Sequence, residues 1–331
     1  MPDYYDNLEV LPAASPEVVS AAGAALIAKH GDSREGRLVE EALRTLGDPT
    51  LRAGYDTDRL NITGKVVGQY RIEDRIAEGG FGKTYRGTHL LTNEPVCIKH
   101  CSQISPSAAT ILIEEAKAMW DLRHFAIPCV RDILRLPDGS LAMVMSYIPG
   151  PTLDEIVLAY AARGERLEPE NVAWIMERIL NVLSYMHRHG VVHGDIKPQN
   201  IIIQPESHTV VLVDFGLAAV KPDQNTGARG YTDLFAPPEQ MRREPLLPQS
   251  DFYSLGMTAF YTLNAGNRDR IERDEVPADV PEAMCFYLRR LVVREVLRRP
   301  NWRGGSYMTA IRRMREEAFG RASSGMIDIR L

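Results

Sequence analysis

His193-Gly194-Asp195-Ile196-Lys197-Pro198-Gln199-Asn200, followed by Asp214-Phe215-Gly216, is the stretch that decides the reading of this 331-residue chain. Asp195 can accept a proton from a hydroxyl, and Lys197 can neutralise charge on a phosphoryl group in transfer. Asn200 and Asp214 offer the hard oxygen ligands that Mg²⁺ prefers. Two short strand-like runs, Ile201–Ile203 and Val210–Val213, separate the two motifs and fix their spacing. A lone His-x-Asp is more often structural than catalytic. Four such groups in this order, with two further signals upstream, point to phosphoryl transfer.

The first upstream signal is Glu78-Gly79-Gly80-Phe81-Gly82-Lys83-Thr84-Tyr85, placed between two expected strands. Gly79, Gly80 and Gly82 let backbone N–H groups approach phosphates closely. The following strand excludes a dinucleotide fold, which needs a helix there. The plain alternative is an ordinary glycine hairpin. The second signal is Val96-Cys97-Ile98-Lys99, with Glu115 sixteen residues on in an expected helix. A strand lysine can hold α- and β-phosphates if a carboxylate fixes its ammonium group. Glu114 competes for that role but faces about 100° away on a helix. The plain alternative is a surface lysine and a solvated helix charge.

Around these motifs the pattern shifts from strands to helices. Strands are expected over Tyr70–Ala77, Lys83–His89, Val96–His100, Arg131–Arg135 and Leu141–Ser146, with a helix over Ala108–Arg123. Beyond Gly150, helices are expected over 153–163, 169–189, 250–264, 280–297 and 307–317. Before residue 60 come short helices, Pro16–Lys29 and Ser33–Leu46 and a piece ending near Tyr55. The composition is globular, 44% apolar and 25% charged, and the net charge of −5 argues against nucleic acid as principal partner. The four cysteines, Cys97, Cys101, Cys129 and Cys285, form neither a disulfide framework nor a zinc pattern. No apolar run of membrane-spanning length occurs, and the N-terminus is not signal-like, so the expected location is cytoplasmic.

In this order and context the motifs resemble the eukaryotic-like serine/threonine protein kinases found in bacteria, over roughly Tyr70 to Met314. The resemblance implies an α+β, bilobal protein-kinase-like fold. A small antiparallel sheet lobe with one coupling helix (about 68–148) precedes a larger helical lobe (about 149–318) and a short tail. It implies ATP and Mg²⁺, with Mn²⁺ as a substitute, and protein substrates. Asp195 matches the catalytic aspartate, Lys197 the lysine two residues on, Lys99 the phosphate-holding lysine and Glu115 its partner. Asn200 and Asp214 match the metal ligands. Thr232, seven residues before Glu239, resembles the threonine that contacts the catalytic aspartate and lysine. Pro237-Pro238-Glu239 resembles Ala-Pro-Glu, and Arg303 is expected to pair with Glu239. Asp251 matches the helix aspartate that steadies the catalytic loop. Met145 looks like the gatekeeper. Ser146 and Ile148 present backbone groups to the adenine, and Ala77, Thr84, Cys97 and Ile202 line its apolar faces. By the same resemblance Met119, Val130, His193 and Phe215 would form the stack that couples the lobes, a role compatible with plain core packing.

The departures carry expectations too. Ala77 replaces the first loop glycine and Thr84 the usual valine. Gly194 replaces the arginine of His-Arg-Asp, which normally pairs with a phosphate on the activation segment, so activity is expected not to depend on phosphorylation there. Thr226 is the candidate acceptor in that segment. The alternatives are a small-molecule phosphotransferase, disfavoured by the run from Asp214 through Thr232 to Glu239, and a catalytically weak nucleotide-binding scaffold, supported by Ala77 and Gly194.

Residues 1–60 are expected to form a helical module apart from the kinase region, 61–331. Asp3-Tyr4-Tyr5-Asp6-Asn7-Leu8-Glu9-Val10, His30-Gly31-Asp32 and the run Glu41 to Asp56 resemble, in order, a J-domain of the Hsp70 co-chaperone family. The His-Pro-Asp turn appears as His30-Gly31-Asp32, and only Lys29 is basic between Pro16 and His30. That implies a degenerate J-like module that docks a protein partner or packs on the kinase. A helical extension is the bland alternative. Arg289, Arg290, Arg294, Arg298, Arg299, Arg303, Arg312, Arg313 and Arg315 form a basic series in which several are expected to pair with acidic residues or cap helices.

Overall fold

Ser15 and Ser33 start the first two long helices. Their hydroxyls accept from the N–H groups of Val18 (3.5 Å) and Gly36 (3.1 Å), which would otherwise lack partners at a helix start. The computed structural model describes residues 3–323 except 60, 80–81, 102–105, 205, 224–225 and 302–305, and leaves out the side chains of 57–59, 106–108 and 306. It opens with α1 (Tyr4–Asn7), α2 (Pro16–His30), α3 (Arg34–Gly47) and α4 (Pro49–Arg59). Val39, Ala42 and Leu46 recur at helical spacing on α3 and pack with Tyr5, Leu8, Val19 and Leu26 into one apolar cluster. Arg52 on α4 ties this bundle: its Nη2 donates to the carbonyls of Pro12 and Ala14, both at 2.9 Å, and its Nε to Tyr5 Oη at 3.1 Å.

A six-stranded sheet follows, with the order β1-β2-β3-β4-β6-β5. Its strands are β1 (Val66–Val67), β2 (Tyr70–Gly79), β3 (Gly82–His89), β4 (Pro95–Cys101), β5 (Val130–Arg135) and β6 (Leu141–Ser146), with α5 (Pro106–Trp120) between β4 and β5. The pairs β1–β2, β2–β3 and β3–β4 are antiparallel. Tyr70, Ile72, Tyr85, Val96, Ile98, Ala142 and Val144 supply the apolar face, a cluster separate from that of the helices. Contacts divide the chain into Met1–Thr110 with Asp132–Val144, which holds most of this sheet, and Ile111–Arg131 with Met145–Leu331. α5 stops at Trp120 rather than at Arg123, because the Arg123 guanidinium turns back to the carbonyls of Trp120 (2.7 Å) and Leu122 (2.9 Å).

The second unit holds α6 (Leu153–Ala162), α7 (Pro169–Arg188), β7 (Val191–Val192), β8 (Ile201–Gln204), β9 (Thr209–Leu212), β10 (Ala219–Val220), α8 (Pro238–Met241), α9 (Pro248–Leu263), α10 (Arg268–Glu272), α11 (Glu282–Leu291) and α12 (Ser306–Phe319). A capping box between Thr152 and Glu155 opens α6. α7, buried along most of its length, packs against α9 and α12. None of the described helices is long and apolar enough to cross a membrane.

The helix expected over 280–297 ends at Leu291. Arg299 gives the reason. It is buried, and its guanidinium takes the carbonyls of Val293 (2.6 Å) and Arg294 (3.0 Å), which a continued helix would have used internally. The same guanidinium grips Glu239 with two parallel bonds, Nη1 to Oε1 at 2.6 Å and Nη2 to Oε2 at 2.9 Å. The Ser250 hydroxyl also donates to Glu239 Oε1, at 2.8 Å. Arg299 is therefore a partner of Glu239; Arg303, the expected partner, lies outside the described residues. Other members of the basic series are paired: Arg298 with Glu295, Arg312 and Arg315 with Glu177, and Arg313 with Glu317.

Two stability tests follow from these buried polar groups. His100, fully buried, meets Ser140 Oγ at 2.9 Å, and that hydroxyl donates to Asp138 at 2.6 Å, so the imidazole must be the donor to Ser140. Burial pushes the His100 pKa down from 6.5 to about 4. A base with a depressed folded pKa stabilises fully above its unfolded value and loses that contribution as pH falls from 6.5 toward 4. Between pH 7.5 and pH 5 the wild type should lose about 2 kcal/mol more than His100→Gln in denaturant unfolding; equal losses would refute the buried neutral imidazole. Arg299→Met should cost about 3–5 kcal/mol, because it leaves the Glu239 carboxylate buried without its cation. A cost below about 1 kcal/mol in the same unfolding assay would contradict the pair's structural role.

Candidate active site

The loop that carries Asp195 is hung from α9. Asp251, in the first turn of α9, is fully buried and accepts three bonds. Its Oδ1 takes the Gly194 N–H at 2.8 Å; its Oδ2 takes the His193 N–H at 2.9 Å and His187 Nε2, from the last turn of α7, at 2.8 Å. Burial alone would raise the Asp251 pKa, but the bond and charge of His187, with His193 and the Gly194 amide, outweigh it and hold the carboxyl below its ordinary range. His193 is buried as well. The Asp195 N–H donates to its Nδ1 at 3.2 Å, and its Nε2 faces the Val213 carbonyl at 3.3 Å, which assigns the ring proton to Nε2. Burial pushes its pKa down, in keeping with a neutral ring. Phe215 packs edge-on against it, with ring centroids 4.8 Å apart. Met119 is buried and Val130 half-buried.

Asp195 is held from three sides. Thr232 Oγ1 donates to its Oδ1 at 2.8 Å, Asn200 Nδ2 to its Oδ2 at 3.0 Å, and Lys197 Nζ stands 2.7 Å from Oδ2. Lys197 also donates to Thr232 Oγ1 at 3.0 Å. A single 3₁₀ turn, Pro198–Asn200, brings Asn200 back toward Asp195, where its amide also reaches the Asp195 carbonyl at 2.9 Å. The Val213 N–H bonds to the Asn200 carbonyl at 2.9 Å, placing Asp214 beside this turn in a left-handed conformation, φ 61°. Asp195, Lys197, Asn200 and Thr232 thus form one hydrogen-bonded group, with Asp214 next in the chain to its anchor.

Asn200 spends its amide nitrogen on Asp195, so the donor it offers a metal is its amide oxygen; Asp214 adds a carboxylate. Such a pair is too small to cage a metal and suits a hard cation that keeps water and phosphate oxygens, as Mg²⁺ does. Among the described residues no group of three or more His, Cys, Asp or Glu could hold a metal.

In the sheet unit, Ala77 pairs with Thr84 and Thr84 with Lys99, so the three lie in a row across β2, β3 and β4. Cys97 is two residues from Lys99 and shares its face, opposite to the one that Tyr85 and Ile98 bury. Gly79 pairs with Gly82 at the end of the hairpin. Gly82 has φ 129°, and a Cβ there would stand 2.2 Å from the His100 carbonyl oxygen, so only glycine fits. Gly80 lies outside the described residues.

On α5, Glu115 is buried and Glu114 half-exposed. Glu114 pairs with Lys117 at 2.9 Å and with Arg229 at 3.6 Å, and the Lys117 bond, with Arg229 further off, holds its carboxyl below the ordinary range. Met145 is buried. The Ser146 N–H donates to the Cys129 carbonyl at 2.9 Å, and its hydroxyl accepts from the Cys129 N–H at 2.7 Å, so the group Ser146 can offer a base is its carbonyl. The segment after Ile148 pairs with β8, through a Thr152–Ile202 bridge and a bond from the Ile203 N–H to the Pro151 carbonyl at 2.9 Å.

Sequence reasoning missed three groups in this neighbourhood: His187, Gln240 and Arg299. Each is a polar residue whose partners are backbone carbonyls or a distant carboxylate, and only the Arg299-Pro300 pair offered a local signal.

Residues 70–275 match the protein kinase domain family. The chain is 32% identical over 219 residues, 62% of its length, to the serine/threonine-protein kinase pkn3 of Myxococcus xanthus, of which 39% is covered. It is 28% identical over 262 residues, 77% of its length, to the maternal embryonic leucine zipper kinase of Danio rerio, of which 36% is covered. To the human hormonally up-regulated neu tumor-associated kinase it is 26% identical over 319 residues, 85% of its length, with 43% of that protein covered. The chain spans about two fifths of the length of these curated relatives. The family match takes in more than half of the chain, together with the strand row of Lys99 and the Asp195 group, and the chain therefore belongs to the protein kinase family.

Proposed function

We propose that this chain transfers the γ-phosphoryl group of ATP to serine or threonine hydroxyls of protein substrates, and that it does so without activation-segment phosphorylation. The observation that carries the reading is the fixed Asp195 carboxylate, held by Asn200, Lys197 and Thr232 within 3.0 Å. Asp195 accepts a hydrogen bond from the substrate hydroxyl, aims its oxygen at the γ-phosphorus in line, and takes the proton as the new O–P bond forms and the bond from the γ-phosphorus to the β,γ-bridging oxygen breaks, releasing ADP. Lys197, already beside Asp195, offsets charge on the phosphoryl group in flight. Thr232 keeps the aspartate and the lysine at fixed separation. Lys99 supports the α- and β-phosphates with Glu115 as its partner, and Met145, Ser146, Ile148, Ala77, Thr84, Cys97 and Ile202 receive the adenine. Asn200 and Asp214 would hold the divalent ion, Mg²⁺ by the nature of their oxygen donors, which when bound would offset charge on the phosphates. Lys197 favours serine and threonine over tyrosine as acceptors.

Residues 1–60 act, in this reading, as a separate module that docks a protein partner or the kinase region itself. Their own apolar cluster, distinct from that of the sheet, supports the division.

Independence from phosphorylation is supported at position 194. Gly194 has φ 75°, and a Cβ would stand 2.8 Å from the Leu217 carbonyl oxygen and 2.9 Å from a Leu246 methyl, so an arginine has no room there. Thr226 is bonded to Asp223, with its hydroxyl donating at 2.7 Å.

With Mg·ATP and a generic protein substrate, Asp195→Asn should lower turnover at least about 10³-fold while ATP affinity stays within about threefold. Normal turnover in that variant would remove Asp195 from the mechanism, and absence of turnover in the wild type would favour a nucleotide-binding scaffold. Phosphatase-treated protein and Thr226→Ala should each keep turnover within about threefold of untreated wild type. A loss of tenfold or more in either would show that a phosphate on the segment is required.

A further inference from the structure

Gln240 closes a ring around the catalytic group, and this deepens the kinase reading on which it rests. It follows Glu239 on α8 and is almost completely buried, 1% exposed. Its side-chain amide nitrogen donates to the Gly194 carbonyl at 2.7 Å and to the Gly230 carbonyl at 2.8 Å. Gly194 immediately precedes Asp195, and Gly230 precedes Thr232 by two residues. One NH₂ group therefore grips the strand of chain entering Asp195 and the strand entering Thr232, whose own side chains meet at 2.8 Å.

The anchor of this ring is firm. Glu239, next to Gln240, is locked to Arg299 by two charge-assisted bonds and to Ser250 by a third. Gln240 thus measures the position of Gly230 from the buried base of the helical unit. A second hold on this segment, from α5, is the Arg229–Glu114 pair, at 3.6 Å with both side chains more than a third exposed. A pair so exposed contributes little. Two hydrogen bonds, one to the buried Gly194 carbonyl and one to the half-buried Gly230 carbonyl, weigh more, because losing the donor leaves the buried acceptor unsatisfied.

We propose that Gln240 is the positioning residue that holds the activation segment in its working place, in the role that an arginine–phosphate pair would otherwise fill. It touches neither substrate nor nucleotide and acts through Gly194 and Gly230. An apolar residue of similar length at 240 removes both donors while filling the space.

The test uses the full-length chain and Gln240→Met, assayed where both are fully folded. The expected result is a fall in kcat of at least about tenfold with KM for ATP within about twofold. Amide hydrogen exchange over 228–236 should rise at least about tenfold, with exchange in α7 and α9 unchanged. A kcat within twofold of wild type overturns the proposal. So does unchanged exchange over 228–236, or a rise spread equally through α7 and α9, which would mark a merely structural role. If the wild type shows no phosphotransfer, the kinase reading falls by itself, and the exchange pattern still decides whether Gln240 holds the segment.

Discussion

A carboxylate with no access to water has to find its donors within the protein, and Asp251 finds two of its three in the backbone of the loop that carries Asp195. Removing such a group from solvent costs several kcal/mol, and only a full set of short bonds offsets it. The constraint runs both ways. The N–H groups of His193 and Gly194 lie where neither strand nor helix can satisfy them, so without Asp251 they would be orphaned in the interior. Asp195 is the next residue, and its own N–H is spent on the His193 ring. The reach of the Asp195 carboxylate is thus set by α9, through two peptide units and one imidazole. Because His187 supplies the third bond, α7 is tied to the same point.

What the sequence made legible was local chemistry. Ser15 announces a helix start because a cap acts over three residues. Asp195, Lys197 and Asn200 are separated by a single turn, so their convergence follows from their spacing. Helix geometry turns Glu114 about 100° from Glu115, and Glu114 pairs with Lys117 and Arg229. The partner of Glu239 was hidden for the opposite reason. It depends on where α11 ends, and α11 ends because Arg299, eight residues on, takes carbonyls the helix would have used. No window of sequence contains both halves of that competition. Gly194 was visible as a missing arginine, but its cause, the Leu217 carbonyl standing where a Cβ would go, comes from a segment more than twenty residues away.

The N-terminal helices obey a different economy. Tyr4 and Tyr55 stack with centroids 4.5 Å apart, Tyr5 donates to Asp56 at 2.7 Å, and Arg52 crosses over Tyr5 to reach two carbonyls of the loop between α1 and α2. Aromatic area and one well-used guanidinium let a small cluster hold its shape. The His30-Gly31-Asp32 turn has Gly31 at φ 51°. Proline is locked near −65°, so this turn is not a His-Pro-Asp turn with one residue exchanged. Its backbone takes a different path, and any partner that reads the turn must read that path.

The two ways of holding an activation segment differ in what can undo them. An arginine–phosphate pair is strong, charged and removable by hydrolysis, which makes it a switch. The neutral Gln240 amide between the carbonyls of Gly194 and Gly230 carries no net charge, so ionic strength scarcely touches it, whereas the exposed Glu114–Arg229 pair is screened within a Debye length of about 8 Å at physiological salt. The segment therefore has a graded anchorage. Its Thr232 end is tied through Gln240 to the buried Glu239–Arg299 base, and its Arg229 contact with α5 is open to water and salt. Motion that begins at the Arg229 contact meets the Gln240 bridge before it reaches Thr232, and the spacing between Thr232 and Asp195 is set by the stronger of the two ties.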